Sequence, residues 1–162
     1  MTTLLDHLNK GISDLRPYEA GRSIDDVVAE YQPERVVKLA SNENPLGPSP
    51  KAIEALSGTN DDLHLYPDGD AKKLKSLIAT HESLETSNII IGNGSNEVLE
   101  LAARAFLNKE SSAVMSKHAF AVYKIVTQSS GAKIIEVPTV NWKHSLSEFH
   151  KSVSYTHLTL PT

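Results

Sequence analysis

The stretch Ile89-Ile90-Ile91-Gly92-Asn93-Gly94-Ser95-Asn96-Glu97-Val98-Leu99-Glu100-Leu101 constrains the fold more than any other. Three β-branched residues in a row read as a short buried strand. Gly92-Asn93-Gly94 breaks it. Val98, Leu101, Ala102, Ala105 and Phe106 then recur at helical spacing. Strand, glycine turn and helix aim several backbone N–H groups and the positive end of the helix dipole at one point, which suits a phosphate. Gly92 and Gly94 let the backbone approach closely, and Ser95 and Asn96 add side-chain donors. Every α/β protein has such corners and most bind nothing, so an empty structural corner stands beside the phosphate reading. A dinucleotide fingerprint is excluded because Glu97 stands where its third glycine belongs. A P-loop is excluded because no Gly-Lys-Ser/Thr occurs. A hairpin at Asn93-Gly94 conflicts with the helical period that follows. The sequon at Asn93 has no other sign of secretion beside it.

From Asn88 onward the pattern alternates. The helix that follows the glycine turn ends near Leu107, Ala113 to Met115 is a second strand, Ala119 to Ser130 a helix closed by Gly131, and Ile134 to Val137 a third strand. This βαβαβ order predicts an α/β fold, a parallel sheet with flanking helices and right-handed crossovers. Upstream, Leu4 to Asn9 reads as a short amphipathic helix. Ser23 caps a helix that Pro33 ends, with Asp26 as the acidic partner. Val36 to Leu39 reads as a strand, and Ser49-Pro50 opens a helix closed by Gly58. Asp70 is expected to cap the helix that carries Leu74, Leu77, Ile78 and His81.

Composition narrows the function classes. The chain of 162 residues can bury one real core. Its net charge of −4 leaves no footprint for nucleic acid or an anionic membrane. It has no cysteine, so disulfides and thiolate metal sites are out, and no metal site is expected. No apolar run reaches the ~20 residues of a membrane helix, and the N-terminus lacks the pattern of a signal peptide. A cytoplasmic location is expected.

Four stretches then carry a family likeness: Leu39-Ala40-Ser41-Asn42-Glu43-Asn44-Pro45-Leu46-Gly47-Pro48, Leu65-Tyr66-Pro67-Asp68-Gly69, Gly92-Asn93-Gly94-Ser95-Asn96-Glu97 and Ala119-Phe120-Ala121-Val122-Tyr123. In this order and spacing, from about Leu4 to Lys151, the chain resembles the N-terminal part of the histidinol-phosphate aminotransferases. These are pyridoxal-phosphate enzymes of fold type I. The resemblance implies part of that fold, a truncated large domain plus an N-terminal arm. Residues 1–35 would be the arm with part of the small domain, and 36–151 the N-terminal part of the cofactor-binding large domain. It implies pyridoxal 5′-phosphate as cofactor, held by Gly94, Ser95 and Asn96 at its phosphate and covered by Phe120 at its ring. Tyr66 would reach the phosphate of the neighbouring subunit in a homodimer. Tyr18 and Asn44 would line the substrate end. Bland readings stand beside these: Phe120 as a core aromatic, Tyr66 packed on Pro67, Tyr18 on a flexible arm, Arg22 as a structural residue.

The implied reaction moves an amino group between L-histidinol phosphate and 2-oxoglutarate, giving glutamate, in histidine biosynthesis. No catalytic residue is assigned, because the family's Schiff-base lysine is expected beyond residue 162. Lys117 follows a serine but comes far too early, and reads as an exposed loop lysine. The fragment alone is expected to be inactive. Residues 152–162 depart from the family. They resemble a cloning scar, with a terminal strand as the other reading. Two other functions stay open: a threonine-phosphate decarboxylase-like enzyme, and a non-enzymatic phosphate-binding α/β module.

Overall fold

The computed structural model describes Leu8 and residues 11–58 and 63–153. The expected helix at Leu4 to Asn9 and most of the expected tail lie outside the described residues, Leu8 aside. Two compact units divide the chain, one formed by 1–18 with 90–162, the other by 19–89.

In the unit formed by 19–89, α1 (Ile24–Tyr31) starts where its capping pair predicts. The Asp26 amide donates to Ser23 Oγ at 3.0 Å. Gln32 turns left-handed at its end, and Pro33 follows. Next come α2 (Pro50–Ser57), with proline in its first turn and Gly58 at its end, and α3 (Lys72–Glu82). Asp70 does not cap α3. Ala71 stands at its N-cap with φ 49°, and Asp68 takes the capping role. One Asp68 oxygen accepts from the Lys72 amide at 2.9 Å and the other from the Asp70 amide at 3.1 Å. The left-handed step at Ala71 brings Asp68 under the first turn, and Asp70 is left to pair with Lys72. Val36 to Leu39 is not a strand, because no partner strand lies beside it among the described residues.

The unit formed by 1–18 and 90–162 holds α4 (Ser95–Phe106), β1 (Ser112–Ser116), α5 (Ala121–Ser129), β2 (Lys133–Val137) and α6 (Leu146–Val153). β1 and β2 pair in parallel, Ser112 opposite Lys133 through Ser116 opposite Val137. The parallel pairing is as expected. Gly131, at φ 72°, makes the turn from α5 into β2, a conformation glycine takes freely. The core sits here: Met115, Val122, Ala132 and Val137 are buried between the strands and α5, with Ala103 of α4. Each of the larger apolar side chains contributes about 1.5–3 kcal/mol when fully buried. Thr127 is buried too, its hydroxyl satisfied by the Tyr123 carbonyl at 2.7 Å.

Ile89 to Ile91 departs from the expectation. Ile89 has extended dihedrals, yet the stretch joins no ladder among the described residues, and Ile90 is 73% exposed. A strand exists only through a hydrogen-bonded neighbour. The sheet offers β1 and β2, and neither takes it. It is not a hairpin either, since Gly94 passes directly into α4. α4 also turns differently from the expected stripe. Leu99, Ala102, Ala103 and Phe106 face an apolar cavity of about 350 Å³ bounded by β1, α5 and Phe149 of α6. α6, with no counterpart in the sequence reading, packs on β1 and β2 and takes in Ser152 and Val153, which the expected tail included.

Candidate cofactor site

The start of α4 is built as the glycine pattern requires. Gly94 is the N-cap at φ 84°, ψ 170°, a region that is essentially glycine's alone. A Cβ placed there would meet nothing within 4 Å, so the backbone faces open space. No side chain caps the helix, which leaves the first-turn N–H groups at Ser95 and Asn96 for an incoming acceptor. Gly92 has a different reason to be glycine: a Cβ would lie 2.8 Å from Val98 Cγ2.

Glu97 is the residue that sequence reasoning passed over. Its carboxylate folds back over the turn and accepts from the Asn93 amide at 2.6 Å and from Asn93 Nδ2 at 3.2 Å. These bonds, the backbone one foremost, hold its carboxyl below the ordinary range. Glutamate three residues after the N-cap is the acidic half of a capping box, and that spacing was the available signal. The carboxylate is tied to the N-terminal side of the turn, so it stabilises the loop that presents the free N–H groups.

Phe120 occupies the N-cap of α5, just past the carboxyl end of β1, where open α/β sheets bind ligands. It is not a core residue; it is 41% exposed. Two tyrosine rings stand nearly perpendicular to it: Tyr18 at 5.9 Å and 78°, and Tyr123 at 6.1 Å and 84°. Tyr18 therefore has a place against Phe120 and is not a free arm. Tyr123 is the member of this group that the sequence did not single out. Lys117 is exposed, as expected, and its amide bonds to the Val137 carbonyl.

The remaining expected residues lie in the unit formed by 19–89. Asn44 builds its own turn: Oδ1 accepts from the Leu46 amide and Nδ2 donates to the Gly47 carbonyl, each at 3.1 Å. Tyr66 is 101% exposed, so it is not packed on Pro67. Arg22 pairs with Glu30 and lies over the Tyr31 ring, a structural role. Among the described residues no cluster of His, Asp or Glu could hold a metal ion, and no helix is long and apolar enough to cross a membrane.

Residues 34–155 match the family of class I and II aminotransferases. The chain belongs to that family. Relatives of this aminotransferase chain include histidinol-phosphate aminotransferase 2 of Pseudomonas fluorescens Pf-5, 48% identical over 145 residues, covering 88% of this chain and 39% of that protein. Another is histidinol-phosphate aminotransferase 1 of Idiomarina loihiensis, 45% identical over 150 residues, covering 93% of this chain and 41% of that protein. The aminotransferase chain thus spans about two fifths of the length of the curated relatives it matches. Among solved structures, the histidinol-phosphate aminotransferase of Sinorhizobium meliloti, in complex with pyridoxal 5′-phosphate, superposes with a TM-score of 0.79. That match covers 92% of this chain and 39% of that one at 19% identity, and it establishes the shared fold. The α/β fold read from the sequence is therefore the partial fold of these aminotransferases.

Proposed function

We propose that this chain is part of a histidinol-phosphate aminotransferase, which exchanges an amino group between L-histidinol phosphate and 2-oxoglutarate with pyridoxal 5′-phosphate as cofactor. The observation that carries the reading is the uncapped N-terminus of α4 behind Gly94, a cradle with its N–H groups free and no Cβ in the way. The relatives named above, which carry that activity in their names, support the choice of substrate.

In this reading Ser95 and Asn96 donate backbone and side-chain hydrogen bonds to the cofactor phosphate, and the α4 dipole adds its positive end. Phe120 would hold the pyridine ring and resist its tilting, with the Tyr18 and Tyr123 rings packed nearly perpendicular beside it. Once bound, the cofactor supplies the electron sink for the pair left on the substrate's α-carbon. Asn44 keeps one amide hydrogen and one oxygen lone pair for the substrate after building its turn. Tyr66, fully exposed, serves the phosphate of a second subunit in a cytoplasmic homodimer. Residues 1–35 belong to the arm and small domain, and 36–151 to the large domain. The proton-carrying lysine comes from the remainder of the longer enzyme, so this chain alone does not turn over substrate.

The test is a titration of the 162-residue chain with pyridoxal 5′-phosphate, followed by circular dichroism induced in the cofactor band. A saturable signal that inorganic phosphate displaces, and that L-histidinol phosphate perturbs more than O-phospho-L-threonine does, is expected. Absence of the signal, or a stronger response to phosphothreonine, overturns the reading. Histidinol phosphate with 2-oxoglutarate should react no faster than with free cofactor.

A further inference from the structure

Three successive residues, Ser116 at the end of β1 and Lys117 and His118 in the turn from β1 to α5, are fastened to the end of β2 and the segment that follows it. Ser116, 1% exposed, shares a hydrogen bond of 2.6 Å with His144 Nδ1. The Lys117 amide donates to the Val137 carbonyl at 2.9 Å. His118 then makes two contacts with one side chain. Its Nδ1 lies 2.9 Å from Thr139 Oγ1, and its ring stands 4.8 Å from the Trp142 ring, tilted by 47°.

Trp142 is held in an unusual way. Asn141 and Trp142 both have positive φ, 50° and 63°, between Val140 and Lys143, which exchange two backbone hydrogen bonds of 3.0 Å. That is the geometry of a type I′ turn, which asparagine tolerates and a bulky aromatic does not favour. The tryptophan is 83% exposed, so burial does not hold it there. The narrow turn and the His118 ring do. Phe120 sits two residues beyond His118 and is itself half exposed, so burial does not fix it either.

We infer that His118 is a positioning residue: clasped between Thr139 and Trp142, it fixes the β1–α5 turn so that Phe120 presents its ring where the cofactor lies. The inference rests on the proposed role of Phe120. One imidazole joins the turn that carries Phe120 to the turn after β2, and the cradle at Gly94 lies on a different connection, before α4. Loss of the clasp should therefore loosen hold on the ring without altering hold on a phosphate.

The experiment uses the 162-residue chain labelled with 4-fluorophenylalanine, which gives one fluorine resonance for each of its 3 phenylalanines. Phe120→Leu assigns the signal of Phe120. In His118→Ala that signal should broaden and move toward the free amino acid, while the Phe106 signal stays. The dissociation constant for pyridoxal 5′-phosphate should rise about fivefold, the size of one net hydrogen bond, while the affinity for inorganic phosphate, read from its competition with the cofactor, stays within about twofold. Thr139→Val removes one of the two contacts and should act in the same direction to a smaller extent. His118→Phe keeps the ring contact and should restore part of the loss. If His118→Ala loses its far-ultraviolet signal of helix, Thr139→Val decides. An unchanged Phe120 resonance in these variants overturns the inference. Equal weakening toward cofactor and phosphate overturns it too. If the unaltered chain shows no cofactor binding, the proposed function fails, and the fluorine signals still decide on the clasp.

Discussion

Replacing Gly94 by alanine tests the cradle directly. With φ 84° and ψ 170°, Gly94 sits where an L-residue is strained by about 1–3 kcal/mol. No atom lies within 4 Å of the added Cβ, so the cost is conformational and not steric. Gly94 is an N-cap with no side-chain bond to lose, and the free chain can escape the strain by shifting that one residue. The strain must return when the N–H groups are drawn round a phosphate. Binding should therefore weaken by about 5- to 150-fold, at 1.4 kcal/mol per factor of ten, while the unfolding midpoint barely moves. The assay is the cofactor titration by induced circular dichroism, with phosphate competition alongside. Gly47→Ala is the control, since Gly47 has φ 76°, equally open surroundings and no part in the cradle. Affinity within twofold of the unaltered chain for Gly94→Ala, or an equal loss for Gly47→Ala, would refute the reasoning.

A Cβ on Gly11 would fall 1.8 Å from the Gln128 carbonyl oxygen, a backbone atom that cannot swing aside. Gly11→Ala should cost about 1–3 kcal/mol and lower the thermal midpoint by several degrees, and an unchanged midpoint would show that this approach is absent in solution. The Glu97 carboxyl is held below its ordinary value of 4.5 by the Asn93 amide and side chain. Its stabilising tie is complete above that pH and fades as pH falls through the lower folded value. The Asn93 amide shift should therefore titrate only below 4.5, and not at all in Glu97→Gln; a midpoint above 4.5 contradicts the bond. Tyr66→Ala should leave stability within about 0.5 kcal/mol, because the ring is fully exposed. A larger loss in thermal unfolding would mean that it packs within its own chain.

Much of this architecture was legible locally. Ser23 with Asp26, Pro50 at a first turn, Gly94 before α4 and Gly131 after α5 are residues whose own chemistry starts or stops a helix. β1 and β2 were legible because each follows a helical pattern and finds the other. Ile89 to Ile91 and Val36 to Leu39 look equally strand-like in sequence, but pairing is a property of two segments, and neither has its second. Asp68 displaced Asp70 as the cap because one left-handed residue, Ala71, redirected the turn. α6 escaped notice because Leu146, Phe149 and Val153 are a thin apolar stripe among polar neighbours, and the last of them falls in the expected tail. In the candidate site, glycine and helix polarity made a phosphate corner at Gly94, Ser95 and Asn96 one of two readings, and the family likeness chose between them. Phe120 rested on the family likeness alone. His118 was beyond reach, since its partner Thr139 stands 21 residues away.

The distribution of burial has a consequence for how the chain opens. Among the described residues the buried apolar side chains are Ala79, Ala103, Met115, Val122, Ala132 and Val137, so the unit formed by 19–89 contributes one alanine. That unit keeps its order by caps and turns, the bonds of Ser23, Asn44 and Asp68. Amides held this way exchange through small local fluctuations, whereas those of β1, α5 and β2 wait for disruption of a packed core. Deuterium should enter 19–89 early and 112–137 late. A protease should find its first cuts in the former, and the slow segment should be recovered as the surviving piece.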